Sequence, residues 1–180
     1  MRHVLLISLS YAVLRRRTGV SESGRRLRVV GGHLPAGTSY SLTALTSLTL
    51  PQGFLLSTPR VATNTSYDFL FFIAELVAAR HLTAGDVLIC DNASIHFAAE
   101  IRVALLSVLA AAGVRLLFMP TYSPELNPCE LLFAQLKGHV RAHRKLSRSL
   151  LLDVMIASAS VTSLNIVAYY DKCINRFNDN

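Results

Sequence analysis

The sequence has no tryptophan and only three cysteines in 180 residues, Cys90, Cys129 and Cys173, with no CxxC spacing among them. An odd, unpaired set excludes a disulfide scaffold and argues against a cysteine-type zinc site. It fits free thiols in a reducing compartment, so an intracellular protein is expected. Charge is also scarce, at 16% of residues against 52% hydrophobic. That balance excludes a disordered chain and predicts segments buried on both faces. Long apolar runs are missing too. The stretch from Val4 to Leu14 is broken by Ser8 and Ser10, whereas a bilayer span needs about 20 apolar residues in a row. No transmembrane helix is expected.

The N-terminal MRHVLLISLSYAVLRRR has the basic start and apolar middle of a signal peptide, but no small-residue cleavage site follows and three arginines come next. A first buried strand is the better reading. A chain of 180 residues is the size of one domain, long enough to bury roughly two thirds of its unfolded surface. Acidic residues number 11 against 18 basic, a formal charge of +7. The excess is clustered at Arg15 to Arg17, at Arg25, Arg26 and Arg28, and from Lys137 to Arg148. Such clusters can contact phosphates; a solvated, solubilising surface is the alternative.

The first sixty residues read as short strands: Val4–Ser10, Arg25–Val30 up to a Gly31-Gly32 turn, Tyr40–Leu50 and Phe54–Ser57. From Ser66 the period changes, and Phe69, Phe72, Ile73, Leu76 and Val77 share a helical face ending near Arg80. Asp86–Cys90 is a short apolar run of central-strand character, closed by Asp91. A helix over Ala98–Ala112 places Ile101, Ala104, Leu105, Val108 and Leu109 together and stops at Gly113. Val114–Met119 is then expected as a second buried strand. Cys129 to about Arg144 is helical, and Arg148–Asn175 forms one or two helices with a break near Ser163–Asn165. This order predicts an α/β fold, a mixed sheet flanked by helices, and it fits a ribonuclease H-like architecture. Residues 1–147 are expected to form that domain and 148–180 a helical extension packed on it.

Asp91 stands where a central strand ends, the edge of an open α/β sheet at which ligands and metals collect. Turn-making or capping by Asp91 and Asn92 is the plainer role. His96, in DNASIH, falls near the start of the next helix. In TYSPELNPCE, Asn127 is a good N-cap, Pro128 suits the first helical position, and Glu130 falls third, where its carboxylate can complete a capping box. The same geometry fixes that carboxylate at a helix mouth, so capping and metal binding do not exclude each other. Phe133 lies near the same face, and Lys137 lies two turns along it, toward an anionic substrate held at Glu130.

DNASIH, a helix, a strand and then MPTYSPELNPCELLFAQLK together resemble the catalytic core of the mariner superfamily of DDE transposases, in the branch shared with bacterial insertion sequences. That family reads DNA..H, then LPPYSPDLNPIE..W..LK; this chain has Thr121 for a proline, Glu125 for aspartate, Cys129 for isoleucine and Phe133 for tryptophan. Weaker likeness continues through RRRTGVSESGRRLRV, YSLTALTSL and AYYDKCI. The resemblance implies that Asp91 and Glu130, 39 positions apart, are the second and third catalytic, metal-binding carboxylates, with Asn92, His96, Asn127 and Lys137 supporting. It further implies Mg2+ or Mn2+ as cofactor. Two such ions about 3.5 to 4 Å apart activate the attacking oxygen and stabilise the leaving one in phosphodiester chemistry. DNA is the implied partner, contacted by Arg15, Arg16, Arg17, Arg141, Arg144 and Lys145; a homodimer and, in a eukaryotic host, a nuclear location go with it.

One departure matters more than the match. The family's first Asp closes the first strand, but here that strand is VLLISLS and no acidic residue precedes Glu22. Asp68, expected to begin an outer helix, and Glu22, in a Ser- and Gly-rich turn, are poor substitutes. Loss of one ligand is expected to weaken two-metal binding by several kcal/mol, on the order of the cost of an uncompensated buried charge, leaving little or no cleavage. Family members also carry helix-turn-helix domains upstream, so a truncated or decayed copy, or a gene model short of its first exon, is expected. Three functions stay open: a transposase catalytic domain, a non-catalytic remnant binding nucleic acid through its basic face, and an unrelated α/β domain in which Asp91 and Glu130 are caps.

Overall fold

The computed structural model describes residues 11–15, 39–60, 62–121, 123–142 and 150–178. The predicted strands Val4–Ser10 and Arg25–Val30 and the Gly31-Gly32 turn lie outside the described residues, as does Glu22.

Strand β1 (Tyr11–Arg15) pairs antiparallel with β2 (Ser39–Thr46), Tyr11 opposite Thr43, and β2 pairs antiparallel with β3 (Phe54–Leu56), Ala44 opposite Leu56. The predicted strand to Leu50 ends four residues early because the chain turns back. The Ser47 hydroxyl accepts from the Thr49 amide at 3.1 Å, and the Ser47 amide donates to the Gly53 carbonyl at 2.8 Å. Gly53 takes φ +78°, and a Cβ there would lie 2.7 Å from the Ile166 side chain, so the turn needs glycine on both counts.

The next strand, β4 (Val87–Cys90), runs parallel to β5 (Arg115–Phe118), Val87 opposite Arg115 and Cys90 opposite Phe118. β4 is buried as expected of a covered strand. β5 is not: Leu117 is 52% exposed and Phe118 37%. Among the described residues β5 has β4 as its one strand neighbour, and Leu117 and Phe118 are only partly covered, which corrects the reading of Val114–Met119 as a buried strand.

Side chains alternate across a strand, and β2 uses this to divide two cores. Leu42 and Ala44 join Phe54 and the buried faces of α3 (Pro128–Ala142), α4 (Leu150–Ala159) and α5 (Ser163–Asn178): Leu132, Phe133 and Leu136, then Val154 and Ala157, then Ile166 and Tyr170. Leu45 faces the other way, into a cluster with Leu88, with Phe69, Phe72, Ile73 and Leu76 of α1 (Ser66–Ala78), and with Ile101, Leu105 and Leu109 of α2 (Ala99–Ala112). Gly113 ends α2 at φ +69° as expected, whereas Ala104, placed on the core face by its spacing, is exposed. The break between α4 and α5 falls at 160–162 instead of Ser163–Asn165. Thr162 caps α5, its hydroxyl accepting from the Asn165 amide at 3.3 Å and its amide donating to Asn165 Oδ1 at 2.9 Å, so Ser163–Asn165 is the first turn. Among the described residues no single helix is long and apolar enough to cross a membrane.

Thr65 and Asp68 form a reciprocal capping box on α1, and Arg60 pairs with the Asp68 carboxylate. Burial pushes the Asp68 pKa up, but bonds from the Thr65 amide and hydroxyl and the Arg60 guanidinium outweigh it, and the net shift is downward. A depressed folded pKa stabilises the fold above the unfolded value, and that stability is lost as pH falls through the folded one. Urea unfolding followed by circular dichroism is expected to show Thr65→Ala costing about 1 kcal/mol at neutral pH. Asp68→Asn should flatten the loss of stability below about pH 4. An acid limb as steep in Asp68→Asn as in the wild type would remove this carboxylate from the account.

Candidate metal and nucleic-acid site

After β4 the chain turns at Asp91, whose Oδ1 accepts from the Ala93 amide at 3.0 Å, the local turn its side chain favours. Asn92 Nδ2 donates to the Met119 carbonyl at 2.6 Å, and the Met119 amide donates to the Cys90 carbonyl at 2.8 Å, so the ends of β4 and β5 are tied together. A 3-10 turn over Ser94–His96 then carries His96 back under Asp91. Its Nδ1 lies 2.7 Å from Asp91 Oδ1, the histidine side chain 1% exposed and the aspartate 26%. The imidazole rests on the Phe69 ring of α1, centroids 4.6 Å apart. Cys90, one residue earlier, is fully enclosed; burial first, then the charges of Asp91 and Cys129, push its thiol pKa well up, so it is an inert packing group.

Glu130 follows β5, from the same C-terminal strand edge that carries Asp91. A second 3-10 turn, Pro124–Leu126, leads to Asn127, whose Oδ1 accepts from the Cys129 amide at 2.9 Å, while its own amide donates to the Pro124 carbonyl at 3.1 Å. Asn127 thus caps α3 through the second amide of the helix, and Pro128 takes the first helical position, as expected. Cys129 anchors this turn. Buried completely, its thiol lies 3.6 Å from the Ala44 carbonyl and from Thr46 Oγ1 on β2. Tyr170 of α5 meets the same threonine, its hydroxyl donating to the Thr46 carbonyl at 2.9 Å, and burial holds its pKa above the ordinary phenol value. Glu130, next to this anchor, is half-buried.

Asp91 and Glu130 line one open cleft of about 230 Å³, with Asn92, Met119, Pro120 and Asn127 on its walls. Two acidic residues from distant segments therefore line a common space. Lys137, half-buried on α3, and His96, beneath Asp91, do not line it. Arg141 is exposed in the last turn of α3, while the side chain of Arg15 and residues Arg16, Arg17, Arg144 and Lys145 lie outside the described residues. Phe69, on which His96 rests, and the Met119 carbonyl, which takes Asn92, were not legible beforehand, since nothing local marks them.

Oxygen donors of this kind suit a hard divalent cation that keeps water in its shell. Among the described residues no group of three or more His, Cys, Asp or Glu side chains is arranged to hold a metal. Among the described residues, the acids that line the cleft are Asp91 and Glu130.

No curated protein sequence matches the chain. Solved structures do. The chain is similar to a pre-cleavage Mos1 transpososome at 15% identity with a TM-score of 0.65, covering 99% of this chain and 54% of that one. The Mos1 mariner paired-end complex with Mn gives 15% identity and a TM-score of 0.59 over 96% and 53%. The catalytic core domain of BIV integrase gives 14% and 0.51 over 98% and 99%. The chain spans about half the length of the Mos1 chains. At such identities the likeness is one of fold, and the fold is the ribonuclease H-like one shared by these transposase and integrase cores. The sequence likeness that runs through both carboxylate segments has a family of its own: residues 10–152 match the DDE superfamily endonucleases, and the chain belongs to that family.

Proposed function

We propose that the chain is a DDE transposase catalytic domain with an incomplete acid set, which binds DNA and a divalent cation at the cleft but cleaves poorly. The observation that carries this reading is the convergence of Asp91 and Glu130 on one cleft. Support comes from the relatives, among them a Mos1 paired-end complex with a left transposon end and complexes with Mn and with Mg. Asp91 and Glu130 would hold Mg2+ or Mn2+, which when bound supplies activation of the attacking oxygen and charge stabilisation at the leaving one.

The chain's own residues act around that ion. His96 and the Ala93 amide orient the Asp91 carboxylate. Asn127 and Cys129 hold the first turn of α3, which carries Glu130. Arg141 and the basic clusters at Arg15 to Arg17 and Arg144-Lys145 contact phosphates, and Lys137 approaches the strand along α3. With no acid before Glu22, the site holds one cation weakly and lacks the symmetric clamp that in-line displacement needs. A homodimer inside the cell, in the nucleus of a eukaryotic host, is the setting we infer.

Fluorescence anisotropy with labelled duplex DNA tests the reading. Affinity should fall steeply with salt, and Arg141→Gln should reduce the log–log salt slope by about 0.9, one phosphate contact. Supercoiled plasmid incubated with Mn2+ should be nicked slowly at most, with the residual nicking lost in Asp91→Asn. A protein that binds no duplex even at low salt does not have this function.

A further inference from the structure

Phe118 is an aromatic side chain left 37% exposed at the end of β5. Its register partner is Cys90, the residue before Asp91, and Met119 and Pro120 after it line the cleft. The Phe97 ring, next to His96 in sequence, meets it edge to face, centroids 5.3 Å apart at 68°. Over Phe97 lies the Arg102 guanidinium, 4.5 Å from the ring centroid, with Nη2 3.5 Å from the Phe97 carbonyl. Arg102 is exposed. An edge-to-face pair braced by a cation, one strand spacing from a candidate metal ligand, is a rigid aromatic surface with a positive flank.

We propose that Phe118, Phe97 and Arg102 form a stacking platform for an unpaired nucleobase of the DNA strand at the cleft, so that the preferred substrate is a frayed or overhanging end and not an intact duplex. This rests on the DNA reading of the cleft given above. The chemistry favours a base over an apolar protein partner. Every base offers a π-face to an aromatic ring, and a planar guanidinium both stacks and pairs with the phosphate that accompanies the base. Continuity with the cleft decides the occupant: through Met119 and Pro120 the platform runs directly into the cleft, which on the DNA reading would hold a phosphodiester. Phe97, half-buried against α2, orients Phe118 and is not expected to touch the base itself.

The test compares the full chain's affinity for a blunt duplex and for the same duplex with a short single-stranded overhang, by fluorescence anisotropy at fixed salt. The wild type should prefer the overhang. Phe118→Leu, which keeps apolar bulk against Phe97 but removes the π-face, should weaken overhang binding by about tenfold and leave the blunt duplex nearly unchanged; Phe118→Trp should preserve the preference. Arg102→Gln, at an exposed position, should also lower overhang binding, which separates the effect from misfolding. A 2-aminopurine in the overhang should be quenched by the wild type and not by Phe118→Leu. Equal affinity of wild type and Phe118→Leu for the overhang overturns the platform while leaving the DNA reading intact. A change in sedimentation with no change in overhang affinity makes the patch an interface between copies and also overturns it. Failure of the wild type to bind any DNA sinks both this inference and the function on which it rests.

Discussion

Glu130→Gln is expected to weaken Mn2+ binding by at least about tenfold, and Asp91→Asn to do the same. Both residues line the cleft and, among the described residues, no group of three or more His, Cys, Asp or Glu could hold a metal. A hard divalent ion draws its affinity from the number and charge of its oxygen ligands. Neutralising one of two carboxylates removes half the compensating protein charge, and a tenfold loss corresponds to about 1.4 kcal/mol. Glu125, exposed on the neighbouring 3-10 turn and not part of the cleft, supplies the control: Glu125→Gln should leave affinity within about twofold, since an exposed charge is screened by solvent and salt. Electron paramagnetic resonance of free Mn2+ reads all three variants directly. Unchanged affinity in Glu130→Gln would return that residue to a helix-start role alone. Because the measurement needs no catalysis, it remains decisive for a chain proposed to cleave poorly.

His96→Ala should destabilise the protein by about 3 kcal/mol, the range for deleting a large, enclosed side chain together with its hydrogen bond. The imidazole is 1% exposed and packed at a tilt against Phe69, so truncation opens a void between α1 and the end of β4 that the tied strand ends resist closing. The cost should appear as a lower urea midpoint with an unchanged slope. His96→Phe separates the two contributions: it restores bulk against Phe69 but not the bond to Asp91, so it should recover part of the stability while Mn2+ affinity stays reduced. A loss below about 1 kcal/mol in His96→Ala would contradict the enclosure on which this account depends.

Much of this protein is written locally. The face of Phe69, Phe72, Ile73 and Leu76, the Gly113 stop, and the Asn127-Pro128 helix start all appear where their spacing and backbone preferences put them. The exceptions are instructive. Val114–Met119 has the composition of a buried strand, yet Leu117 and Phe118 are exposed, because composition does not say how many neighbours a strand will have. The α4–α5 break, expected near Ser163–Asn165, lies at 160–162, because the reciprocal bonds between Thr162 and Asn165 make Thr162 the cap and Ser163–Asn165 the first turn. Glu130 had two readings, cap or ligand, and its own decapeptide contains nothing to separate them.

The sequence by itself determined the helices from Ser66 onward and the two strands between them to within a few residues, that acids are few and basic residues many, and that no acid precedes Glu22, since periodicity, capping and composition are properties of neighbours along the chain. Only the tertiary structure decided that Asp91 and Glu130 line one cleft, that His96 is enclosed against Phe69, and that Thr46 meets both Cys129 and, 124 positions along the chain from it, Tyr170. Those contacts depend on how β2 divides the two cores and on how the ends of β4 and β5 are tied, and such long-range closure leaves no periodic trace in the residues that take part.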